Sequence, residues 1–184
     1  GLVVGSIFKI TDGKLFCFLI NFIFRKDGQI HYKDNFYFKT LSNDKIIRYP
    51  NKRIDRVVIN HREHFKFFLE SYCIDKIEIN NNDLIVDCGA NVGELFYALD
   101  LLNHKVKYIG FEPSPEEFAY LKENVYPSDC YNIGLFNKES KLDFYVSSQK
   151  SDSSFIEPKE YEAIIKVKTK RLESIIDQPI KLLK

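Results

Sequence analysis

The stretch Asp83 to Asn103 limits what this chain can fold into more than any other part of it. Leu84-Ile85-Val86 is a short apolar run, as a strand buried on both faces of a parallel sheet requires. It ends in Asp87-Cys88-Gly89-Ala90-Asn91-Val92-Gly93, and from Glu94 to Asn103 the residues Leu95, Ala98, Leu99 and Leu102 recur on one helical face. A second unit follows in the same order. Lys107 to Phe111 reads as a strand, and Pro115 to Asn124 as a helix with Pro at its start and Phe118, Leu121 and Val125 inward. Strands alternating with helices in this way predict an α/β protein built on a parallel sheet.

The turn carries chemistry. Glycines at 89 and 93 let the backbone bend tightly and approach a ligand that side chains would obstruct. The following helix offers unpaired N–H groups to the same space. The G-x-x-x-G spacing departs from the G-x-G-x-x-G of dinucleotide sites, which argues against NAD. Asp87 beside the turn suits a ligand with a cationic amino group, which a pyrophosphate lacks. Glu112, ending the next strand, can accept two hydrogen bonds from a ribose diol. Either acid alone would be an ordinary strand exit or helix cap. In register on successive βα units, the two specify an adenosine with a charged amino-acid tail.

Composition narrows the partners. Apolar residues are 45% of the 184 residues and charged ones 29%, which fits a globular protein with a substantial core. A formal net charge of +1 supplies no basic excess to track a phosphate backbone, so no nucleic-acid partner is expected. Leu15 to Phe24 is the most apolar run, but a membrane span needs about 20 residues. We read it as a buried strand, with no membrane span and no targeting signal. Cys17, Cys73, Cys88 and Cys130 show no metal-ligand spacing; buried reduced thiols in a cytoplasmic setting are the expectation. His61 and His64 lack a completing ligand pattern and read as surface histidines, so no metal is expected. His104 reads as a helix-end residue.

The first 80 residues read as a β-rich and partly helical extension, distinct from residues 81–184. Thr11-Asp12-Gly13 and Lys26-Asp27-Gly28 resemble hairpin turns, Gln29 to Phe38 alternates as a strand, and His64 to Tyr72 has helical spacing. Substrate recognition and dimerisation are the two roles this extension could serve, so a homo-oligomer stays open. Further on, Tyr131 to Leu135 reads as a third strand and Lys141 to Val146 as the next. Ser147 to Pro158 is a serine-rich polar loop, Ile164 to Thr169 an edge strand, Leu172 to Ile176 a helical turn, and Ile180 to Leu183 the start of another strand.

From about Glu70 onward the chain resembles the FkbM family of S-adenosylmethionine-dependent methyltransferases. The resemblance rests on DLIVDCGANVGELFYAL, YIGFEPSPEEFAYLKENV, NIGLFNKESKLDFYV, SDSSFIEP and IKVKTKRLESII, in that order. It implies a Rossmann-like class I methyltransferase sheet behind an N-terminal β-rich extension, with S-adenosyl-L-methionine as cofactor. It also implies O-methylation, often of a sugar hydroxyl on a glycan, glycolipid or natural product, so the partner expected is a small-molecule or saccharide acceptor. By that resemblance Gly89, Ala90, Asn91 and Gly93 line the methionine end, Asp87 orients it, Glu112 holds the ribose, Pro113 belongs to the same cofactor site, and Asn132 is a candidate for the adenine edge. Ser153, Ser154 and Glu157 lie on a loop that could reach the acceptor. No catalytic base is assigned.

Family members continue with an acidic D-x-E-G segment that would follow Lys184. The chain opens at Gly1 and contains no Met, so we expect part of a longer protein whose C-terminal portion is missing here. A non-catalytic cofactor-binding or degenerate interaction module is the alternative reading.

Overall fold

The computed structural model describes residues 2–24, 29–41, 44–57, 60–147 and 153–184. Two compact units divide the chain, Gly1–Ile77 and Glu78–Lys184.

The first unit opens with two helices, α1 (Leu2–Ile10) and α2 (Gly13–Ile23). This corrects the strand expected over Leu15 to Phe24 and the hairpin expected at Thr11 to Gly13. Asp12 is instead the N-cap of α2, its carboxylate accepting from the Gly13 N–H at 2.8 Å and from the Tyr37 hydroxyl. Phe16, Cys17 and Ile20 face the core, and the Asn21 amide pairs with both backbone groups of Ile30 at 2.8 and 2.9 Å. A polar residue at the middle of an apolar run is thereby satisfied, which a helix packed beside a strand allows. A three-stranded antiparallel sheet follows: β1 (Ile30–Lys33), β2 (Phe36–Thr40) and β3 (Ile46–Tyr49). Gln29 to Phe38 is therefore two strands. Asp34 and Asn35 turn between them with φ of 51° and 65°, the left-handed pair that a two-residue hairpin needs. Lys26-Asp27-Gly28 lies outside the described residues. Helix α3 (His61–Ser71) starts at Asn60, whose side chain caps Arg62 and Glu63, and buries Phe65 and Leu69.

The second unit holds the parallel sheet. Its strands are β4 (Leu84–Cys88), β5 (Lys107–Phe111), β6 (Asp129–Tyr131) and β10 (Leu182–Leu183), in the order β10-β4-β5-β6 and all parallel. Helices α4 (Glu94–Leu101) and α5 (Pro115–Asn124) link β4 to β5 and β5 to β6. Leu84, Val86, Phe111 and Ile176 form a buried cluster joined by Ile109, Ile133, Leu172 and Ile180. At about 25 cal/mol per Å² of apolar surface removed from water, clusters of this kind are the main favourable term in folding. This is a mixed α/β fold with a parallel sheet.

A separate three-stranded sheet contains β7 (Gly134–Leu135), β8 (Ser140–Val146) and β9 (Ala163–Lys170) in the order β7-β9-β8. Two expectations change here. Tyr131 to Leu135 is split between β6 and β7, in different sheets, with Asn132 and Ile133 making the step. Ile164 to Thr169 lies at the centre of its sheet rather than the edge, although its outward face is exposed and so alternates as an edge strand would. In the serine loop, Ser147 and residues 153–158 are described; Ser148 and Ser151 lie outside the described residues.

Candidate functional site

The polar residues of interest gather where β4 and β5 end. Asp87 closes the buried part of β4 and is itself 0% exposed. Its Oδ2 accepts the Tyr108 hydroxyl at 2.7 Å, and its Oδ1 accepts the Lys184 ammonium at 2.6 Å. Burial pushes the Tyr108 phenol well above its ordinary value, with the Asp87 charge adding to the effect, so the phenol stays a donor. Lys184 arrives on the strand extension past β10, where its N–H donates to Val86 O at 3.0 Å and its carbonyl accepts the Cys88 N–H at 2.8 Å.

The loop after Asp87 is held through its backbone N–H groups, most of which donate to the end of β5 and to Glu112. The N–H groups of Gly89 and Ala90 both donate to Phe111 O at 2.9 Å, and Gly93 N–H donates to Ala90 O at 2.8 Å. The Asn91 N–H donates to Glu112 Oε2 at 2.8 Å, while Ser114 N–H donates to Oε1 at 2.9 Å. One carboxylate thus ties the turn of the first βα unit to that of the second. Burial is the main reason the Glu112 carboxyl is raised to about 7; the Ser114 and Asn91 N–H groups pull it down, and Glu117 and Asp87 push it up.

The two glycines serve different ends. Gly89, at φ +76°, is exposed, and a Cβ there would meet nothing within 4 Å. Gly93, at φ +92°, is buried, and a Cβ there would lie 2.7 Å from Val125 Cγ1. Gly89 therefore opens the loop outward, whereas Gly93 allows helix α4 to start against helix α5. Ala90 is buried at the base of the loop. Asn91 also takes positive φ, 51°, and its Oδ1 is buried without a hydrogen-bond partner.

Asn132 lies just past β6, and its amide donates to Glu112 O at 2.8 Å and to Pro113 O at 3.1 Å. It shapes the loop that carries the acid. Tyr131 stacks on Phe111 at 5.2 Å with 17° between the rings. Ser153, Ser154 and Glu157 stand away from this group in the chain, on the segment fastened to β8. Ser153 Oγ accepts the Ser147 N–H at 3.1 Å, and Ser154 pairs with Tyr145 through both backbone groups. Glu157 is exposed.

Cys88 is half-buried in β4, with its thiol raised to about 11 chiefly by burial and then by Asp87, so it is no nucleophile. Buried thiols were expected throughout, but Cys73 is exposed. No group of metal-ligating side chains occurs among the described residues, and no described helix is long and apolar enough to cross a membrane.

Sequence reasoning missed Lys184 and Tyr108. Neither lies in the glycine motif, and each meets Asp87 only because β10 and β5 flank β4.

A parallel α/β sheet with a glycine loop after one strand and an acid after the next defines a class of proteins that bind ligands at the carboxyl ends of their strands. Residues 87–184 match the family model described as the Methyltransferase FkbM domain, and the chain belongs to that family. Among solved structures it is similar to the methyltransferase FkbM from Methylobacillus flagellatus KT, at 11% identity and a TM-score of 0.45, covering 71% of this chain and 34% of that one. It is also similar to TYW2 of P. horikoshii in complex with MeSAdo, at 17% identity and a TM-score of 0.40, covering 66% of this chain and 47% of that one. The chain thus spans less than half the length of either structure. No curated protein matches it.

Proposed function

We propose that the chain is the cofactor-binding part of an S-adenosylmethionine-dependent O-methyltransferase with a Rossmann-like class I sheet, acting on a sugar hydroxyl. The hydrogen bond from the Asn91 N–H to Glu112 Oε2 carries the reading, because it joins the two sequence elements into one site. The residues fit the cofactor. Gly89 provides an open, side-chain-free approach, Asn91 Oδ1 is a buried acceptor with no partner, and Glu112 is an acid suited to a diol. Gly89, Ala90, Asn91 and Gly93 would surround the methionine portion, with Asp87 behind them. Glu112 and Pro113 would meet the ribose, and Asn132 would keep that loop in place beside the adenine.

S-adenosylmethionine, when bound, supplies a methyl group on a sulfonium whose leaving group is already good. The protein's task is then orientation and exclusion of water. Glu112 is fastened by two backbone N–H groups, so it can accept from a ligand hydroxyl with little reorganisation. Ser153, Ser154 and Glu157 are proposed for the acceptor side. The family match supports methyl transfer, while oxygen on a saccharide as the acceptor and a cytoplasmic setting are carried over from the sequence reading.

Calorimetric titration with S-adenosylhomocysteine tests the cofactor reading. Micromolar binding is expected, lost in Glu112→Ala, with circular dichroism confirming that the variant is folded. A folded wild-type chain that does not bind would sink it. Transfer of labelled methyl to a glycan panel then tests the acceptor class. Binding without transfer to any member would favour a cofactor-binding interaction module.

A further inference from the structure

We propose that Lys184 recognises the amino-acid end of the cofactor through its carboxylate, with Asp87 as the positioning residue behind it; this rests on the cofactor reading above. Taken alone, the sequence assigns that end to Asp87 and a ligand ammonium. Three observations reverse the sign of the charge that a ligand meets.

The first is the order of burial. In the Asp87–Lys184 pair the side chains are 1% and 12% exposed, so the lysine is the less buried partner. The second is that Asp87 already has a counter-ion in Lys184 as well as a donor in Tyr108, one on each oxygen. Pulling Lys184 away would leave a buried carboxylate without its counter-ion, which is strongly unfavourable. The third is the state of the loop. The N–H groups at Gly89, Ala90, Asn91 and Gly93 are all donated within the protein. An anionic ligand group therefore has none of these four to bind. Lys184 Nζ, 3.4 Å from Gly89 O, brings a cation to the same loop. A ligand ammonium approaching there would meet a like charge, whereas a carboxylate would meet a charge-assisted donor held in one place.

The test is titration of the whole chain with two ligands. One is S-adenosylhomocysteine; the other is the analogue 5′-deoxy-5′-(3-aminopropylthio)adenosine, which keeps the amine and lacks the carboxylate. The wild-type chain should bind the first at least about tenfold more tightly, one charge-assisted hydrogen bond being worth about that factor or more. Lys184→Met should remove this preference by weakening S-adenosylhomocysteine alone, and Lys184→Arg should restore it. Should Lys184→Met not fold, the double variant Asp87→Asn/Lys184→Met removes both charges and is titrated in its place. Unchanged or tighter S-adenosylhomocysteine binding in either variant overturns the proposal, because Lys184 would then only fill the place of the ligand amine. Equal weakening of both ligands overturns it too, by making Lys184 a purely structural residue. If a folded wild-type chain binds neither ligand, the cofactor reading itself fails, and this inference with it.

Discussion

A methyl group added at position 93 would sit 2.7 Å from Val125 Cγ1 and 3.3 Å from Leu121 Cδ1, while one at position 89 would meet nothing within 4 Å. Both residues have positive φ, which costs an L-residue about 1–2 kcal/mol. Overpacking adds about 1–3 kcal/mol at position 93. Gly93→Ala is therefore expected to lose about 2–5 kcal/mol in urea denaturation, and Gly89→Ala about 1–2 kcal/mol. The order should reverse in calorimetry among folded protein, where Gly89→Ala weakens S-adenosylhomocysteine more, because its Cβ enters the open side of the loop. Glu112 gives a second prediction, with opposite signs for stability and binding. Its folded carboxyl titrates at about 7 against an ordinary 4.5. Between those values the folded chain holds a proton that the unfolded chain has lost. The contribution to stability is full below 4.5 and disappears as pH rises through about 7, by roughly 3 kcal/mol at about 1.4 kcal/mol per unit. The thermal midpoint should fall from pH 5 to 8, and Glu112→Gln should flatten that slope. Binding of a diol needs the ionised acid, so S-adenosylhomocysteine affinity should instead rise over the same range. A pH-independent affinity would remove Glu112 from the ribose site.

Helix α2 shows why an apolar run does not declare its own secondary structure. Gly13–Ile23 has Lys14 as its one charged residue, and Leu15, Phe18 and Phe22 are exposed opposite the buried Phe16, Cys17 and Ile20. With apolar residues on every side, periodicity disappears, and a buried strand fits the run as well as a helix does. Asp12 as N-cap and Asn21 bonded to Ile30 decide the matter, and the second of these is a tertiary contact. The step from β6 to β7 was hidden for a similar reason, since Tyr131 to Leu135 is continuous in sequence and changes sheet only in space. Next to it, Phe155 fastens the serine segment. Its ring packs edge-on to Phe144 at 5.0 Å and lies over Gly134, where a Cβ would come within 2.3 Å of it. Phe155→Ala should speed limited proteolysis between Ser147 and Tyr161 several-fold while costing only about 1–2 kcal/mol in global stability, since the ring is half-buried. An unchanged cleavage rate would show that the Ser154–Tyr145 pairing holds the segment without the ring.

The unit Glu78–Lys184 contains its own apolar cluster and every residue proposed for the cofactor. Expressed alone, it should unfold in one cooperative transition and bind S-adenosylhomocysteine as the whole chain does. A fragment that folds but does not bind would assign part of the site to Gly1–Ile77. The elements that make the unit an α/β protein were legible in the chain because each is local. An apolar strand, a glycine turn and a periodic helix are adjacent residues responding to their own backbone preferences, and Glu112 stands one βα unit from the turn. The Asp87–Lys184 pair is of another kind: its partners are 97 positions apart, and neither residue signals the other. They meet because β10 adds to the sheet beside β4 rather than beyond β6, a choice made by packing across the whole unit. Local pattern thus specifies the strand, the loop and the two acids, while the charge that a ligand finds at Asp87 depends on which strand the fold lays beside it.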